Sequence, residues 1–149
     1  MSRRSARELA LHMVFEMDFT GVDCGEIMRC RLTPEEFGAF AKEDRLYAQL
    51  PDAHDREYIE KLLRGVSAHL PELDSYIEKY SVGWRFERLS HIVISLLRIA
   101  MFEMLYQPDT PNSVAINEAV ELAKRYDTQE AAAFINGILS SFNKEEVSE

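Results

Sequence analysis

Few residues of this chain are of types and spacings that do chemistry, and the clearest group lies at its amino terminus. Arg3, Arg4 and Arg7 stand three and four positions apart, so a helix reaching back to them places them on one side. There their guanidinium groups can take phosphate oxygens in bidentate pairs. Arginines at a helix start oppose the macrodipole, so helix stability does not account for them. On residue types alone the group is either a grip for a polyanion or an ordinary frayed basic end.

The remaining candidates point away from catalysis. His12, His54, His69 and His91 are scattered, with nothing converging on them, and read as surface or edge residues rather than bases. The pairs Glu35-Glu36 and Glu145-Glu146 fall at a helix start and in the tail. No glycine-rich phosphate loop, Gly-x-Ser-x-Gly elbow or pair of histidines at metal spacing occurs, so no catalytic residue, cofactor or metal is expected. Cys24 and Cys30 match neither a zinc knuckle nor a redox pair. With no secretory signal ahead of them they are expected to be free thiols of a cytoplasmic protein.

A net charge of −9 argues against an ordinary basic nucleic-acid binder, but its distribution matters more than its sum. The first seven residues carry +3, which leaves −12 on the other 142, so a polyanion has to meet a local patch. Arg29 with Arg31, and Lys124 with Arg125, sit among carboxylates and read as solvated surface. The most apolar run, residues 92–101, contains Ser95 and Arg98 and falls short of the roughly 18 residues of a membrane span. At 149 residues the chain fits one domain, able to bury roughly two thirds of its unfolded surface.

Helical periodicity runs almost throughout, without a convincing strand. Leu9, Ala10, Met13, Val14 and Met17 form one stripe of a first helix that ends near Gly21. Thr33-Pro34-Glu35-Glu36 supplies a cap, a proline at the first helical position and a closing glutamate, which predicts a second helix to about Leu50. Tyr58 to Leu70 marks a third, and Leu73, Ile77 and Tyr80 a short fourth, followed by Trp84 in a turn. The fifth, residues 86–106, is apolar nearly all round and therefore buried, so Arg98 and Glu103 need partners. Residues 114–126 make a sixth, and Asp127-Thr128-Gln129-Glu130 opens a seventh that carries Phe134, Ile135, Ile138, Leu139 and Phe142. The expected architecture is an all-α compact bundle of about seven helices in a single domain, with room for a division into two three-helix subdomains. Residues 143–149 are expected as a disordered acidic tail.

At this point several stretches carry a resemblance. Residues 4–11, Arg-Ser-Ala-Arg-Glu-Leu-Ala-Leu, followed by Phe15, look like the opening of the NusB family of transcription antitermination factors. Residues 113–124, Ser-Val-Ala-Ile-Asn-Glu-Ala-Val-Glu-Leu-Ala-Lys, and 134–139, Phe-Ile-Asn-Gly-Ile-Leu, are similar to its two signature stretches. Leu97-Arg98-Ile99-Ala100-Met101-Phe102-Glu103 resembles its Leu-Arg-x-Ala-x-x-Glu helix. The resemblance covers the first 20 residues and residues 73–142, leaving the acidic middle unaligned. Within the signatures, Asn117 and Asn136 read either as buried polar groups that tie helix ends together or as ligand contacts, and Gly137 as a point of close helix approach.

What the resemblance implies is a cytoplasmic protein that binds the boxA sequence of nascent ribosomal RNA transcripts together with NusE, the small-subunit ribosomal protein. The pair joins the antitermination complex through which RNA polymerase reads past terminators. Arg3, Arg4 and Arg7 would contact phosphate and bases, Phe15 would stack on RNA, and Tyr126, Glu130 and Phe134 match positions near the same RNA face. The chain has Val93-Ile94 where related proteins often carry a charged pair, near the NusE-facing surface. Such apolar groups imply a deeper core, a retuned NusE contact or a homodimer. NusB-like domains also precede a catalytic domain in some RNA cytosine methyltransferases, a reading set aside because the chain ends at Glu149. A protein-interaction module in which the arginines do nothing is the third alternative.

Overall fold

The computed structural model describes residues 1–147, and every regular element among them is helical. The chain divides into two compact units, Met1–Ser67 and a second that begins at Ala68.

In the first unit, α1 (Arg3–Thr20) is opened by Ser2, whose hydroxyl accepts the Ser5 N–H at 3.0 Å, and closed by Gly21 at φ 74°. A left-handed closing residue favours glycine. Leu9, Ala10, Met13 and Val14 are buried along the expected stripe. Next comes α2 (Cys24–Arg31), capped by Asp23 and burying Ile27 and Met28. The sequence pattern did not predict it, because eight residues give barely two turns of periodicity. The helix expected from Thr33 to about Leu50 is shorter: α3 runs Pro34–Phe40 with Thr33 as its cap. Residues 41–44 offer no large apolar side chain, and Asp44 takes the Leu46 N–H to open a 3₁₀ turn, Arg45–Tyr47. In α4 (Ala53–Ala68), Ile59, Leu62, Leu63 and Val66 are fully buried.

The second unit holds α5 (Leu70–Tyr80), α6 (His91–Tyr106), α7 (Asn112–Tyr126) and α8 (Gln129–Phe142), with a 3₁₀ turn at Phe86–Arg88. Residues 93–104 of α6 are buried without a break, as an all-round apolar helix must be. Helices α5, α7 and α8 pack against it. Its charges have their partners: Arg98 Nε and Nη2 donate to both carboxylate oxygens of Asp74, each at 2.8 Å, and Glu103 Oε2 accepts from the Thr110 hydroxyl at 3.4 Å. The expectation of a disordered tail is corrected over Asn143–Val147, which form a π-helical turn. Glu146 accepts from both Lys79 and Tyr80 there, and Asn143 Oδ1 from the Asn112 side-chain amide. Residues 148 and 149 of that tail lie outside the described residues. With α2 added, eight α-helices stand among the described residues where about seven were expected.

Two predictions follow from these contacts. Asp74→Ala removes both carboxylate acceptors from the 6%-exposed Arg98 and is expected to cost about 2 kcal/mol, below the usual buried-pair figure because Asp74 is partly solvated. Thermal denaturation checks it, and an unchanged midpoint would refute it. Burial, and then the negative charge of Asp44, pushes the Tyr47 phenol up to about 12. A phenol held neutral stabilises the fold fully below its ordinary value of 10.0, and that stabilisation is lost as pH rises through about 12. In a spectrophotometric titration, Tyr47→Phe should delete the step near that pH.

Candidate nucleic-acid interface

The cap at Ser2 starts α1 at Arg3, which puts the predicted arginines on its first two turns. They are not equivalent. Arg3 and Arg4 are exposed, whereas Arg7 is 4% exposed and so offers little surface to a ligand. The Arg3 guanidinium carbon lies 3.9 Å from the ring centroid of Tyr58 on α4, a close cation–π stack, and Arg7 lies 5.7 Å from the same ring. Arg3 Nη2 also faces His54 Nε2 at 3.3 Å, one turn before Tyr58. About 18 Å along α1 from Arg3, Phe15 is half-buried and nearly parallel to Phe19, their centroids 5.9 Å apart and planes 20° apart. Phe19 is 67% exposed, so the pair presents an aromatic face to solvent.

In the second unit, a hydrogen-bonded bracket sets the ground around Glu130 and Phe134. Ser90 caps α6 by accepting the Val93 N–H at 3.1 Å and donates its hydroxyl to Asp127 Oδ2 at 3.0 Å. Asp127 Oδ1 accepts the N–H of Thr128, and Thr128, not Asp127 as the sequence suggested, caps α8 through the Ala131 N–H. Over this bracket lies a cleft of about 220 Å³ whose lining includes Trp84, Arg88, Val93, Asp127, Glu130 and Phe134. Trp84 is 59% exposed and meets Phe134 edge-on, with centroids 5.4 Å and planes 62° apart. Tyr126, half-buried at the end of α7, has the Arg125 guanidinium 5.8 Å from its ring.

Val93 and Ile94 are 5% and 6% exposed, which selects the deeper core among the readings their apolar character allowed and leaves no exposed apolar patch there to argue for a homodimer. Two other expectations are corrected. Asn117 and Asn136 are exposed, and a Cβ at Gly137 would meet nothing within 4 Å, so neither the buried tie nor the close approach occurs. Sequence reading missed Tyr58, His54, Phe19 and the part played by Trp84. A tryptophan in a turn flanked by Arg85 and Arg88 was a usable signal. Tyr58 had none, because its role depends on a pairing between distant helices.

A second concavity, of about 170 Å³ in the first unit, is lined by residues including His12, Tyr47, Phe37 and Phe40. His12 Nδ1 sits 2.8 Å from the Tyr47 hydroxyl, and Arg31 spans Glu16 and Glu36 across the rim. These are closed interactions that knit α1, α2 and α3. The cysteines are unpaired, as expected, and the exposed Cys30 thiol is pushed up by its hydrogen bond to Glu26, away from a reactive thiolate. Among the described residues no helix is long and apolar enough to cross a membrane, and no cluster of three or more His, Cys, Asp or Glu could hold a metal.

Fold and surface together define an all-α protein that presents cations and aromatic faces on each of its two units. The sequence model of the NusB family matches residues 4–144, and the chain belongs to that family. The match runs through the middle segment that the motifs had left unaligned. Transcription antitermination protein NusB of Ruminiclostridium cellulolyticum is 39% identical over 144 residues, 97% of this chain and 90% of its own. The protein of the same name from Symbiobacterium thermophilum is 42% identical over 95% of this chain and 88% of its own. Among solved structures, Thermotoga maritima NusB superposes with a TM-score of 0.83 at 30% identity, covering 99% of this chain and 94% of that one. NusB in a complex of NusB and NusE with double-stranded RNA superposes at 0.77 with 25% identity, covering 95% and 96%.

The sequence contains one tryptophan, so its fluorescence reports on the α8 cleft alone. Phe134→Ala removes the edge contact and is expected to shift Trp84 emission to the red and raise its quenching by acrylamide, with helix content unchanged. Identical emission in the variant would show that the two rings do not pack.

Proposed function

We propose that this protein is a transcription antitermination factor that binds the boxA sequence of nascent ribosomal RNA together with NusE and supports read-through by RNA polymerase in the cytoplasm. It acts by binding, without catalysis. The observation that carries the proposal is the placement of Arg3 and Arg4, exposed at the capped start of α1, on an otherwise acidic chain of the NusB family. Relatives matched over about nine tenths of their length bear the antitermination name, which favours this reading over a methyltransferase domain.

The chemistry suits a single strand. Arg3 and Arg4 neutralise phosphates, Arg7 adds positive potential from beneath, and splayed bases stack on Phe15 with Phe19 beside it. Tyr126, Glu130 and Phe134 are proposed as further RNA contacts, with the Glu130 carboxylate able to accept from base amino groups. Negative charge elsewhere repels RNA and confines it to these surfaces.

The test is anisotropy of a labelled boxA RNA at two salt concentrations, with and without NusE. The double variant Arg3→Ala, Arg4→Ala is expected to lose about a hundredfold in affinity, about tenfold for each charge-assisted contact, and to flatten the slope of log K against log salt by about 1.4, at roughly 0.7 per phosphate on a single strand. An unchanged affinity and slope would end the RNA-patch reading.

A further inference from the structure

The first-turn arginines have a feature that charge alone does not require. A solvated arginine on a helix start samples many rotamers, and each has to be surrendered when a phosphate is gripped. Arg3 instead holds its guanidinium carbon over an aromatic ring from another helix, 3.9 Å from the Tyr58 centroid, with its Nη2 3.3 Å from His54 Nε2. Guanidinium has no acceptor, so that contact requires Nε2 to be the unprotonated, accepting nitrogen. His54 and Tyr58 are four residues apart on α4 and therefore share a face.

The geometry assigns Tyr58, with His54, as a positioning residue for phosphate recognition by Arg3. The guanidinium donors all lie in the group's plane. A ring under the face leaves the in-plane edge for a phosphate, and an acceptor at one terminal nitrogen fixes the rotation of that plane about the stack. Arg7, itself 4% exposed, lies 5.7 Å from the centroid of the same ring. Neither α4 residue needs to touch RNA. Their effect is to preorganise Arg3, so less conformational freedom is lost on binding. The inference rests on the proposed RNA contact of Arg3, and the experiment separates failure of the two.

The experiment is a double-mutant cycle on the full chain, read by anisotropy of labelled boxA RNA, with thermal melts as the control for folding. Tyr58→Leu is expected to weaken binding about two- to fivefold, the worth of an exposed cation–π contact. Tyr58→Phe, which keeps the ring, should restore wild-type affinity. Arg3→Ala alone should lose about tenfold, the worth of a charge-assisted hydrogen bond to phosphate, but clearly less when Tyr58 is already leucine. His54→Ala should show the same coupling to Arg3 in smaller measure. Full additivity of Arg3→Ala and Tyr58→Leu would overturn the positioning role while leaving the RNA contact intact. No effect of Arg3→Ala in either background would overturn the RNA contact itself. If Tyr58→Leu melts well below the wild type, the cycle is run on Tyr58→Phe and Tyr58→Met, and a loss with methionine but not phenylalanine still identifies the ring.

Discussion

A helix apolar on every side has to be enclosed, and α6 imposes that constraint on the second unit. Twelve consecutive residues, Val93 to Met104, are buried, at about 0.8 kcal/mol for each methylene removed from water. No single amphipathic partner can cover them, so α5, α7 and α8 all pack on α6. The burial also dictates the polar chemistry. Arg98 lies within the apolar stretch, where an unpaired charge costs several kcal/mol, and Asp74 answers it with both carboxylate oxygens. The cap residue Ser90, by reaching Asp127, ties the start of this core helix to the cap of α8. The cleft under Trp84 and Phe134 thus depends on how α6 begins.

Electrostatics divides labour in a comparable way. With −12 outside the first seven residues, the protein repels polyanions over most of its surface, and short-range pairs consume many of its other cations. Arg31 is taken by Glu16 and Glu36, Lys79 by Glu146 and Arg64 by Glu60. Arg3 differs in kind, since its partners are an aromatic face and a histidine nitrogen, neither of which cancels its charge. A cation held by neutral groups keeps its full attraction for phosphate. That distinction, more than the number of arginines, separates a binding group from a surface ion pair.

The helices that carry many turns were legible from the residues, because burial and periodicity coincide in α1, α6 and α8. The short α2 was not, and the predicted run from Thr33 to Leu50 broke where apolar residues gave out and Asp44 offered its own turn. Arg3, Arg4 and Arg7 could be named from charge and spacing, but the burial of Arg7 could not, since it depends on what packs over the second turn of α1. Val93-Ile94 stayed open between readings for a related reason. Two apolar residues in place of charges look like exposed patch or added core in one dimension, and only the packing of α6 decides for core. Tyr58 and His54 were invisible, because the contact with Arg3 spans about fifty residues of sequence.

The magnitudes explain why an antitermination factor of this kind would work with a partner. Stacking on aromatic rings is worth about 1–3 kcal/mol per base, and two exposed arginines add charge-assisted contacts of about 1.5–3 kcal/mol each before the cost of ordering a flexible strand. Micromolar affinity needs about 8 kcal/mol, so the surfaces on this chain reach it barely or not at all. A second RNA-binding protein docked alongside changes the arithmetic without any new contact from this chain. Once one component holds the strand, the other meets it at an effective concentration set by their separation, and avidity can exceed either affinity by about 10²–10⁴. Under that regime a weak, preorganised patch is an advantage over a strong one. It keeps the free protein off the many other RNAs that share a phosphate backbone, and it makes recognition conditional on the assembled pair.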